Sequence, residues 1–570
     1  MSAPPRSRSR RFGVLLMVLA MLGTLAPLGA YEGADWFFPG GRYDQNFPDP
    51  HVLFHDGVYY AYATNTGGPL LPSMTSTDLE HWFAHEAWNP NPWNDDLFFN
   101  DALVRVPGWA DTAGGSEVWA PFVIEMGGTW LAYYAIRDAP GRYCVSVASG
   151  PGPLGPFEDR SAEPLTCGHG PAGAIDPWVH VDANGRPWLV WKTEPYSAAD
   201  HEETGPMPAA IWSHRLTVDG LRFRDLDGDP ETEPEPNLLL AAGAAWEAGI
   251  IENPAIADVD GQLVLFYSGN RWDSHEYATG WARCASIQGP CSRGADEPFL
   301  RAEGDWNGPG GASVFANAWE ELSIAFHAWN PPYVSYPDFP SCDDDGDGHC
   351  TDEGQRFLHI DVLCWLPDDR PHVGVPDDVP FCDVRPNSWE TEPITWLADG
   401  GYTTGVSPAH FAPDRPVRRS EAVTFLWRLA GEPATSAQTP FVDVVPGAFY
   451  AEAVAWAFET GVIRGTSPTT FSPDDVLTRG QMAIVLHRSA DEPAATAPST
   501  FVDVAPAASF AGAVDWLAGT GITTGTTPAT YAPFDPVTRA QLAAFLCRYT
   551  DIEVADTAAV AVVAEAGCSA

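Results

Sequence analysis

Lysine is almost absent from this 570-residue sequence, in which Lys192 is the only one. Arginine supplies the other cations, and 30 basic residues face 76 acidic ones, for a net charge of −46. A field of this sign repels nucleic acid and anionic membrane surfaces. We therefore expect neither nucleic acid nor a membrane among the partners of the mature protein.

Long apolar runs are also missing beyond the N-terminus. Residues 1–30 combine four arginines, an apolar stretch from Phe12 to about Ala26 and the small pair Gly29-Ala30, which is typical of an export signal. A membrane anchor is the alternative, but the stretch is shorter than a full membrane span. The sequence thus predicts a secreted protein with no membrane insertion after the signal is removed.

No CxxC pair occurs, which argues against a zinc ribbon or a thioredoxin-like site. Ten cysteines in an exported chain favour disulfides instead. Spacing leaves the connectivity open, and proximity in sequence suggests the pairs Cys144–Cys167, Cys284–Cys291, Cys342–Cys350, Cys364–Cys382 and Cys547–Cys568.

One pattern recurs through residues 31–370, which lack convincing helical periodicity. An acid and a proline precede an apolar strand, a tight turn and an aromatic strand; the three copies begin at Asp49-Pro50, Asp176-Pro177 and Glu252-Asn253-Pro254. Two further units follow Trp119-Ala120-Pro121 and the loop from Gly308. Five units of this length predict a five-bladed β-propeller. A β-sandwich is the competing all-β fold, but it does not explain the regular restart.

The propeller fold brings the three acids together, because the innermost strands of all blades begin around one central funnel. Asp49, Asp176 and Glu252 are therefore candidate catalytic residues, since hydrolysis of a glycosidic bond needs such carboxyl groups. The alternative is that each acid merely caps a strand or a turn. Three acids at one position of a repeating unit favour a shared site.

A second repeat occupies the C-terminal part, where the composition becomes rich in alanine. FCDV or FVDV begins at Phe381, Phe441 and Phe501, and each copy contains two predicted helices. The second helices begin near Arg419, Arg479 and Arg539, two of them behind a Thr cap with Gln three residues later. We place the copies at residues 381–437, 438–497 and 498–552.

An acidic loop lies between the two repeat regions. Asp343, Asp345 and Asp347 alternate with other residues and precede Gly348, which matches the first half of a calcium-binding loop. The alternative is a solvated loop pinned by flanking cysteines. The pattern favours a structural Ca²⁺, and the chemistry itself requires no cofactor.

The first region resembles glycoside hydrolase family 43 across about residues 35–335. Besides the acid motifs, the resemblance rests on STDLEHW (76–82), WAP (119–121), GPLGPFED (152–159) and LTVDGL (216–221). It implies a five-bladed propeller and an inverting hydrolase acting on α-L-arabinofuranosides or β-D-xylosides of plant cell walls. Asp49 then resembles the general base, Glu252 the general acid, and Asp176 the residue that orients the acid and raises its pKa.

Two positions depart from that family pattern. Phe122 stands where an Asp usually follows Trp-Ala-Pro, and Gly311 stands where many members carry a His credited with holding an ion at the propeller centre. His327 keeps a later family histidine. Trp119 and Trp178 lie beside the motifs, and we predict them as substrate contacts, with packing as the alternative.

The second region resembles three S-layer homology repeats. This resemblance implies binding to anionic polymers of the cell wall, with Arg419, Arg479 and Arg539 as candidate contacts; pairing with local acids is the alternative. The whole sequence predicts a secreted, cell-wall-attached glycosidase acting on arabinose- or xylose-containing polysaccharide, with an α-L-arabinofuranosidase or arabinanase favoured. A β-xylosidase and a non-catalytic glycan-binding surface protein are the alternatives.

Overall fold

The computed structural model describes residues 42–65, 69–84, 100–112, 117–168, 172–195, 207–224, 236–304, 306–334, 336 and 354–552. The predicted export signal at residues 1–30 and the predicted calcium ligands Asp343, Asp345 and Asp347 lie outside these ranges. Within the ranges, no helix is both long and apolar enough to cross a membrane.

Five sheets form the N-terminal part, as the repeat predicts. A first strand, β1 (Arg42–Asn46), precedes the blades. The first blade contains β2 (His51–His55), β3 (Val58–Tyr62), β4 (Pro72–Ser76), β5 (Phe83–Ala84) and β6 (Asn100–Asp101). The second contains β7 (Leu103–Arg105), β8 (Trp119–Met126), β9 (Thr129–Arg137), β10 (Tyr143–Gly150) and β11 (Phe157–Glu158). The described strands of the five sheets pair antiparallel except β7 with β11.

The other three blades follow in sequence. The third contains β12 (Ala174–Val181), β13 (Pro187–Thr193), β14 (Ala210–Arg215) and β15 (Asn237–Ala241). The fourth follows a short 3₁₀ turn (Ala245–Glu247) and contains β16 (Ile251–Val259), β17 (Gln262–Gly269), β18 (Ala278–Cys284) and β19 (Cys291–Arg293). The fifth contains β20 (Asn307–Ala316), β21 (Leu322–Trp329), β22 (Arg356–Trp365) and β23 (Pro371–Val373).

The blades close into a ring. The innermost strands β2, β8, β12, β16 and β20 each contact the innermost strands of both neighbouring blades. The N-terminal strand β1 pairs with β22 of the last blade, so chain termini of the propeller meet in one sheet. The five-bladed β-propeller predicted from the repeat is confirmed.

Tight turns join the first two strands of several blades, and their residues explain the geometry. Asp56-Gly57, Gly127-Gly128 and Asp260-Gly261 have positive φ at both positions, from 49° to 84°. Two-residue hairpin turns of this kind match the twist of the strands, and Gly, Asn and Asp accept the left-handed conformation at the lowest cost.

Three of the predicted disulfides are confirmed: Cys144–Cys167, Cys284–Cys291 and Cys364–Cys382. The other two involve cysteines outside the described residues. Cys364–Cys382 joins β22 of the propeller to the beginning of the C-terminal region. Two parts of the chain are thus covalently linked at the point where the fold changes from strands to helices.

A buried acid makes a second connection between the two parts. Glu321, just before β21, accepts hydrogen bonds from the Ser407 hydroxyl and the Ala409 amide and contacts His410 Nδ1 at 2.8 Å. Burial alone raises the pKa of this carboxyl group, but these hydrogen bonds outweigh burial and lower the pKa below its usual value.

Six helices form the C-terminal part of the described chain, two in each 60-residue copy. They are α1 (Thr391–Asp399), α2 (Arg419–Leu429), α3 (Ala451–Glu459), α4 (Arg479–Ser489), α5 (Ala511–Gly519) and α6 (Arg539–Thr550). The predicted caps are confirmed, because Thr478 and Thr538 accept hydrogen bonds from the amides of Gln481 and Gln541. The Asp of the repeated FCDV or FVDV motif has a structural role. In the first copy, Asp383 accepts hydrogen bonds from the backbone amides of Phe411 and Ala412.

The three copies form a closed ring around a pseudo-threefold axis. Short segments before α2, α4 and α6 bond cyclically: the Val417 amide donates to Val537, the Leu477 amide to Val417, and the Val537 amide to Leu477. A ring of this kind leaves no terminal copy, so each repeat buries its apolar face against both neighbours.

The repeated arginines reinforce the ring. Arg419 donates to the Phe471 carbonyl at 2.8 Å, Arg479 to the Tyr531 carbonyl at 2.8 Å and Arg539 to the Phe411 carbonyl at 2.6 Å. Each guanidinium also lies 4.5 to 4.9 Å from the ring centroid of that same aromatic residue. Every contact crosses to another copy, and the three side chains are 3% to 6% exposed.

This burial predicts a stability difference between neighbouring arginines. Replacing Arg479 with Gln should lower the free energy of unfolding by about 1.5–3 kcal/mol, because a charged donor and its stacking are lost. The control is Arg418→Gln, which removes an exposed pair with Asp474 and should cost less than about 1 kcal/mol. Chemical denaturation followed by circular dichroism measures both, and equal effects would contradict the interpretation.

Candidate active site

A left-handed residue occupies the same position of every inner strand. These residues are Asp49, Ala120, Asp176, Asn253 and Gly311, with φ between 42° and 61°. The first four precede a proline, which disfavours helical backbone, and positive φ is itself costly for residues other than glycine. Strain repeated around one axis indicates a functional site.

All five residues line one small cavity on the propeller axis, of about 20 Å³. In four of the blades the strand pairing shifts register at this point; in the third, the shift falls between Ile175 and Trp178. A bulge turns one residue out of the normal alternation of the strand. The bulges therefore take Ala120, Asp176, Asn253 and Gly311 out of that alternation in the second to fifth blades.

Asp49, the predicted base, is held on several sides. The Thr64 hydroxyl donates to Oδ2 at 2.7 Å, and Arg356 Nη1 lies 3.5 Å from Oδ1. The Asp49 backbone amide donates to His327 Nδ1 at 3.0 Å. The hydroxyl and the guanidinium hold the Asp49 carboxyl group in one position.

Arg356 itself is buried among aromatic rings. Its guanidinium carbon lies 4.9 Å from the ring centroid of Trp272, 5.4 Å from that of Tyr336 and 5.7 Å from that of Trp329. These faces stabilise a cation away from water. The positive charge beside Asp49 is therefore fixed in position.

Glu252, the predicted acid, lies in β16 with its side chain buried. The Tyr277 hydroxyl donates to Oε1 at 2.8 Å, and Lys192 Nζ donates to Oε2 at 3.2 Å. Burial raises the pKa of Glu252; the charges of Glu194 and Asp49 act in the same direction, while Lys192 and Tyr277 oppose them. The net rise favours a carboxyl group that keeps its proton at higher pH than an exposed glutamate.

Asp176 lies beside this acid. Its Oδ2 accepts a hydrogen bond from the Asn253 amide at 2.9 Å, so it fixes the backbone that follows Glu252. Burial and the charge of Glu252 raise the pKa of Asp176 well above its usual value. Two buried carboxyl groups that repel each other titrate as a pair, and one proton is retained between them over a wide pH range.

The aromatic residues predicted to contact substrate have different surroundings. Trp178 is buried and packs 4.6 Å from Phe122 and 5.8 Å from His51, measured between ring centroids. Trp119 is half-buried and stacks on Tyr143 at 4.0 Å. Substrate contact stays a prediction for both residues, and Trp119 has the more accessible ring.

Phe122 and Gly311, which depart from the family pattern, both have a packing role. Phe122 lies 4.4 Å from the ring of His51, which burial keeps neutral by lowering its pKa to about 4. A Cβ on Gly311 would lie 2.5 Å from the His327 ring and 2.8 Å from Asp49 Oδ1. Any side chain at position 311 would therefore collide with the residues that hold the base.

The position that the resemblance assigns to an ion-binding His offers no ligand at the axis, because Gly311 stands there. Gly311 and Ala120 contribute no ligand atom, and His327 Nδ1 is engaged as an acceptor by the Asp49 amide. Burial lowers the pKa of His327 well below its usual value, so the ring is neutral and its one proton is on Nε2. Nε2 is then a donor, which repels a cation.

Sequence reasoning missed five residues that contact the carboxyl groups directly or through one another: Thr64, Lys192, Glu194, Tyr277 and Arg356. Only Lys192 carried a signal, because it is the single lysine of the chain. The others come from second or later strands, where no motif distinguishes them from structural residues.

The arginines that the sequence predicts to bind the cell wall lie elsewhere, at the contacts between the three C-terminal copies. Arg479 Nη1 donates to Gln541 and Arg539 Nη1 to Glu421, in addition to the carbonyl contacts described above. Burial lowers the pKa of Arg539 to about 10. Binding of wall polymer by these arginines stays a prediction, and it requires a ligand that reaches into the grooves between copies.

A five-bladed propeller with three carboxyl groups on its axis defines the class of propeller glycosidases. The model of glycosyl hydrolases family 43 matches residues 43–371, and the S-layer homology domain model matches residues 380–423, 440–483 and 500–543. The chain belongs to glycosyl hydrolase family 43 and carries three S-layer homology repeats. It is a secreted protein attached to the cell surface.

Individual relatives resemble either part. The extracellular endo-α-(1→5)-L-arabinanase 1 of Bacillus subtilis (strain 168) is 22% identical over 300 residues, covering 50% of this chain and 80% of the relative. The S-layer protein of Bacillus thuringiensis subsp. finitimus is 28% identical over 177 residues, covering 30% of this chain and 21% of the relative. The chain spans about a fifth or less of the length of several curated relatives that it matches.

Among solved structures, a thermostable family-43 glycoside hydrolase is similar with a TM-score of 0.45 and 23% identity. The match covers 62% of this chain and 99% of that structure.

The crowding around Gly311 predicts that an alanine at this position destabilises the protein more than the positive φ alone would. Gly128 has a positive φ of 83° with open space around it, so Gly128→Ala should cost about 1–2 kcal/mol of stability. Gly311→Ala should cost a further 1–3 kcal/mol or so, because the new methyl group overpacks the axis. Denaturant titration of both variants gives the difference, and equal losses would show that the axis can relax.

Proposed function

We propose that the protein is an inverting glycoside hydrolase that cleaves arabinose- or xylose-containing plant polysaccharides. The observation that carries this proposal is the meeting of Asp49, Asp176 and Glu252 at one axis within the family-43 region. Asp49 holds a water and accepts its proton as the water attacks the anomeric carbon. Glu252 donates its proton to the leaving oxygen, and Asp176 keeps that acid protonated.

An α-L-arabinofuranosidase or arabinanase is favoured over a β-xylosidase. The support is the named arabinanase relative, which aligns over half of this chain and 80% of its own length. A non-catalytic glycan-binding protein is the remaining candidate. Glycan binding alone does not require two buried acids, Asp176 and Glu252, together with an Asp49 that pairs with Arg356.

Kinetics on 4-nitrophenyl α-L-arabinofuranoside, 4-nitrophenyl β-D-xyloside and linear arabinan test the proposal. Asp49→Ala and Glu252→Ala should each lower kcat/KM by about 10²- to 10⁴-fold, because each removes one proton-transfer group. Glu297→Ala, which changes an exposed acid on the fourth blade, is the matched control and should keep full activity. Equal turnover by all four proteins, or none by the wild type, would reject catalysis in favour of glycan binding.

The pH dependence follows from the same groups. Glu252 must be protonated to act. Its raised pKa means that activity persists above the usual pH range of a glutamate and falls as pH rises through that pKa.

The stereochemistry of the product is a separate test. Proton NMR of the first-formed sugar reports its anomeric configuration: inversion agrees with the proposal, and retention contradicts it.

We also propose that the three C-terminal repeats bind an anionic polymer of the cell wall. Support comes from the three S-layer homology matches, at residues 380–423, 440–483 and 500–543. The full chain should co-sediment with purified cell walls, and this binding should weaken as the salt concentration rises. It should be lost after the anionic polymers are extracted from the walls. Undiminished binding to extracted walls would refute the proposal.

A further inference from the structure

Lys192, the only lysine of the chain, has its ammonium group buried between carboxyl groups. From β13, Nζ donates to Glu252 Oε2 at 3.2 Å and to Glu194 Oε1 at the end of the same strand. The side chain is 1% exposed. A buried ammonium is costly unless partners compensate its charge, so an apolar residue in this inner position of the blade would be cheaper for folding alone.

The strand geometry directs this side chain to the acid. Lys192 pairs with Ile175 of β12, the residue before Asp176, and its Nζ reaches Glu252 on β16 of the fourth blade. The ammonium therefore crosses from one blade to the next. It also interacts with the charge of Asp176, and the three carboxylates together outweigh burial and raise the pKa of Lys192.

Several ionisable groups surround Glu252 on the elements packed against it. They are Lys192 and Glu194 from the β13 strand and its end, Asp176 from β12, Asp49 before β2, and Tyr277 before β18, with His327 and Arg356 behind Tyr277 and Asp49. His327 is neutral, and Arg356 pairs with Asp49. Among these groups, Lys192 is the cation in contact with Glu252.

We propose that Lys192 is a positioning residue that holds the Glu252 carboxyl group and sets the pH above which this acid loses its proton; the inference rests on the proposed function. During cleavage, the Glu252 proton passes to the leaving oxygen as the glycosidic C–O bond breaks. Water forms the new C–O bond and gives its proton to Asp49. Glu252 is left as a carboxylate, and the ammonium of Lys192 stabilises that charge as it develops.

Glu194 weakens the influence of Lys192 on Glu252, because both acids contact the same ammonium group. It is 32% exposed, so it is the partner closest to solvent. Removing Glu194 deletes a negative charge near the acid and leaves the ammonium to Glu252 alone. The two residues therefore act on Glu252 in opposite directions, and that opposition separates electrostatic control from a packing role.

The pH profile of kcat/KM tests the proposal on the substrate that the wild type hydrolyses. In Lys192→Met the basic limb should move to higher pH by about 1–3 pH units, because an opposite charge in contact with the acid is lost. In Glu194→Gln it should move to lower pH. Lys192→Arg should restore the wild-type limb, and Glu297→Gln, an exposed acid on the fourth blade, should leave it unchanged.

A second measurement does not depend on activity. Because the chain holds one lysine, growth on ¹³Cε-lysine gives one side-chain resonance in the intact protein. That resonance should show a titration step from the neighbouring acid pair, and Glu252→Gln should change that step, because Asp176 then titrates without its partner. Glu194→Gln should shift the midpoint to lower pH.

The outcomes are distinguishable. If the wild type hydrolyses no glycoside but the lysine resonance follows Glu252, the proposed function fails while the electrostatic link between Lys192 and Glu252 holds. If the wild type is active and Lys192→Met, folded by circular dichroism, keeps the wild-type basic limb, the inference is overturned. A lysine resonance that does not respond to Glu252→Gln also overturns it, even where Lys192→Met fails to fold.

Discussion

Three largely buried carboxyl groups lie close together at the propeller axis, and the groups around them compensate their mutual repulsion. Each of the two proposed proton-transfer groups has its own buried cation: Arg356 faces Asp49, and Lys192 contacts Glu252. Arg356 is held in turn by the faces of aromatic rings, and Lys192 by a second carboxyl group, that of Glu194. Charge compensation by fixed partners lets acids remain buried, where their interactions are strongest.

The backbone contributes as much as the side chains. Every inner strand has a left-handed residue in its first half or, in the first blade, just before the strand, and only the fifth blade uses glycine there. In that blade the missing side chain leaves the space that the His327 ring and the Asp49 carboxylate occupy. In the other blades, the free-energy cost of the left-handed backbone is offset by the packing of each inner strand against two neighbours in the closed ring.

The C-terminal ring shows how a repeated motif is interpreted differently in sequence and in structure. The resemblance to S-layer homology repeats suggested Arg419, Arg479 and Arg539 as ligand contacts. In the structure their guanidinium groups bond to carbonyls of another copy and stack on its aromatic ring. Sequence spacing identifies equivalent positions in a repeat, but it does not show whether a position faces a neighbour or solvent. That depends on how the copies close.

The sequence by itself determined the two repeat architectures, two helix caps and the three acids, because each is encoded by local spacing and turn chemistry. It only suggested the three disulfides, by proximity of the cysteines, and the structure confirms them. Tertiary structure alone decided which residues surround those acids. Thr64, Tyr277 and Arg356 reach the site from other strands, and closure of the blades brings them there. Lys192 belongs to both: its rarity is visible in the sequence, but its position against Glu252 follows only from the packing of two blades.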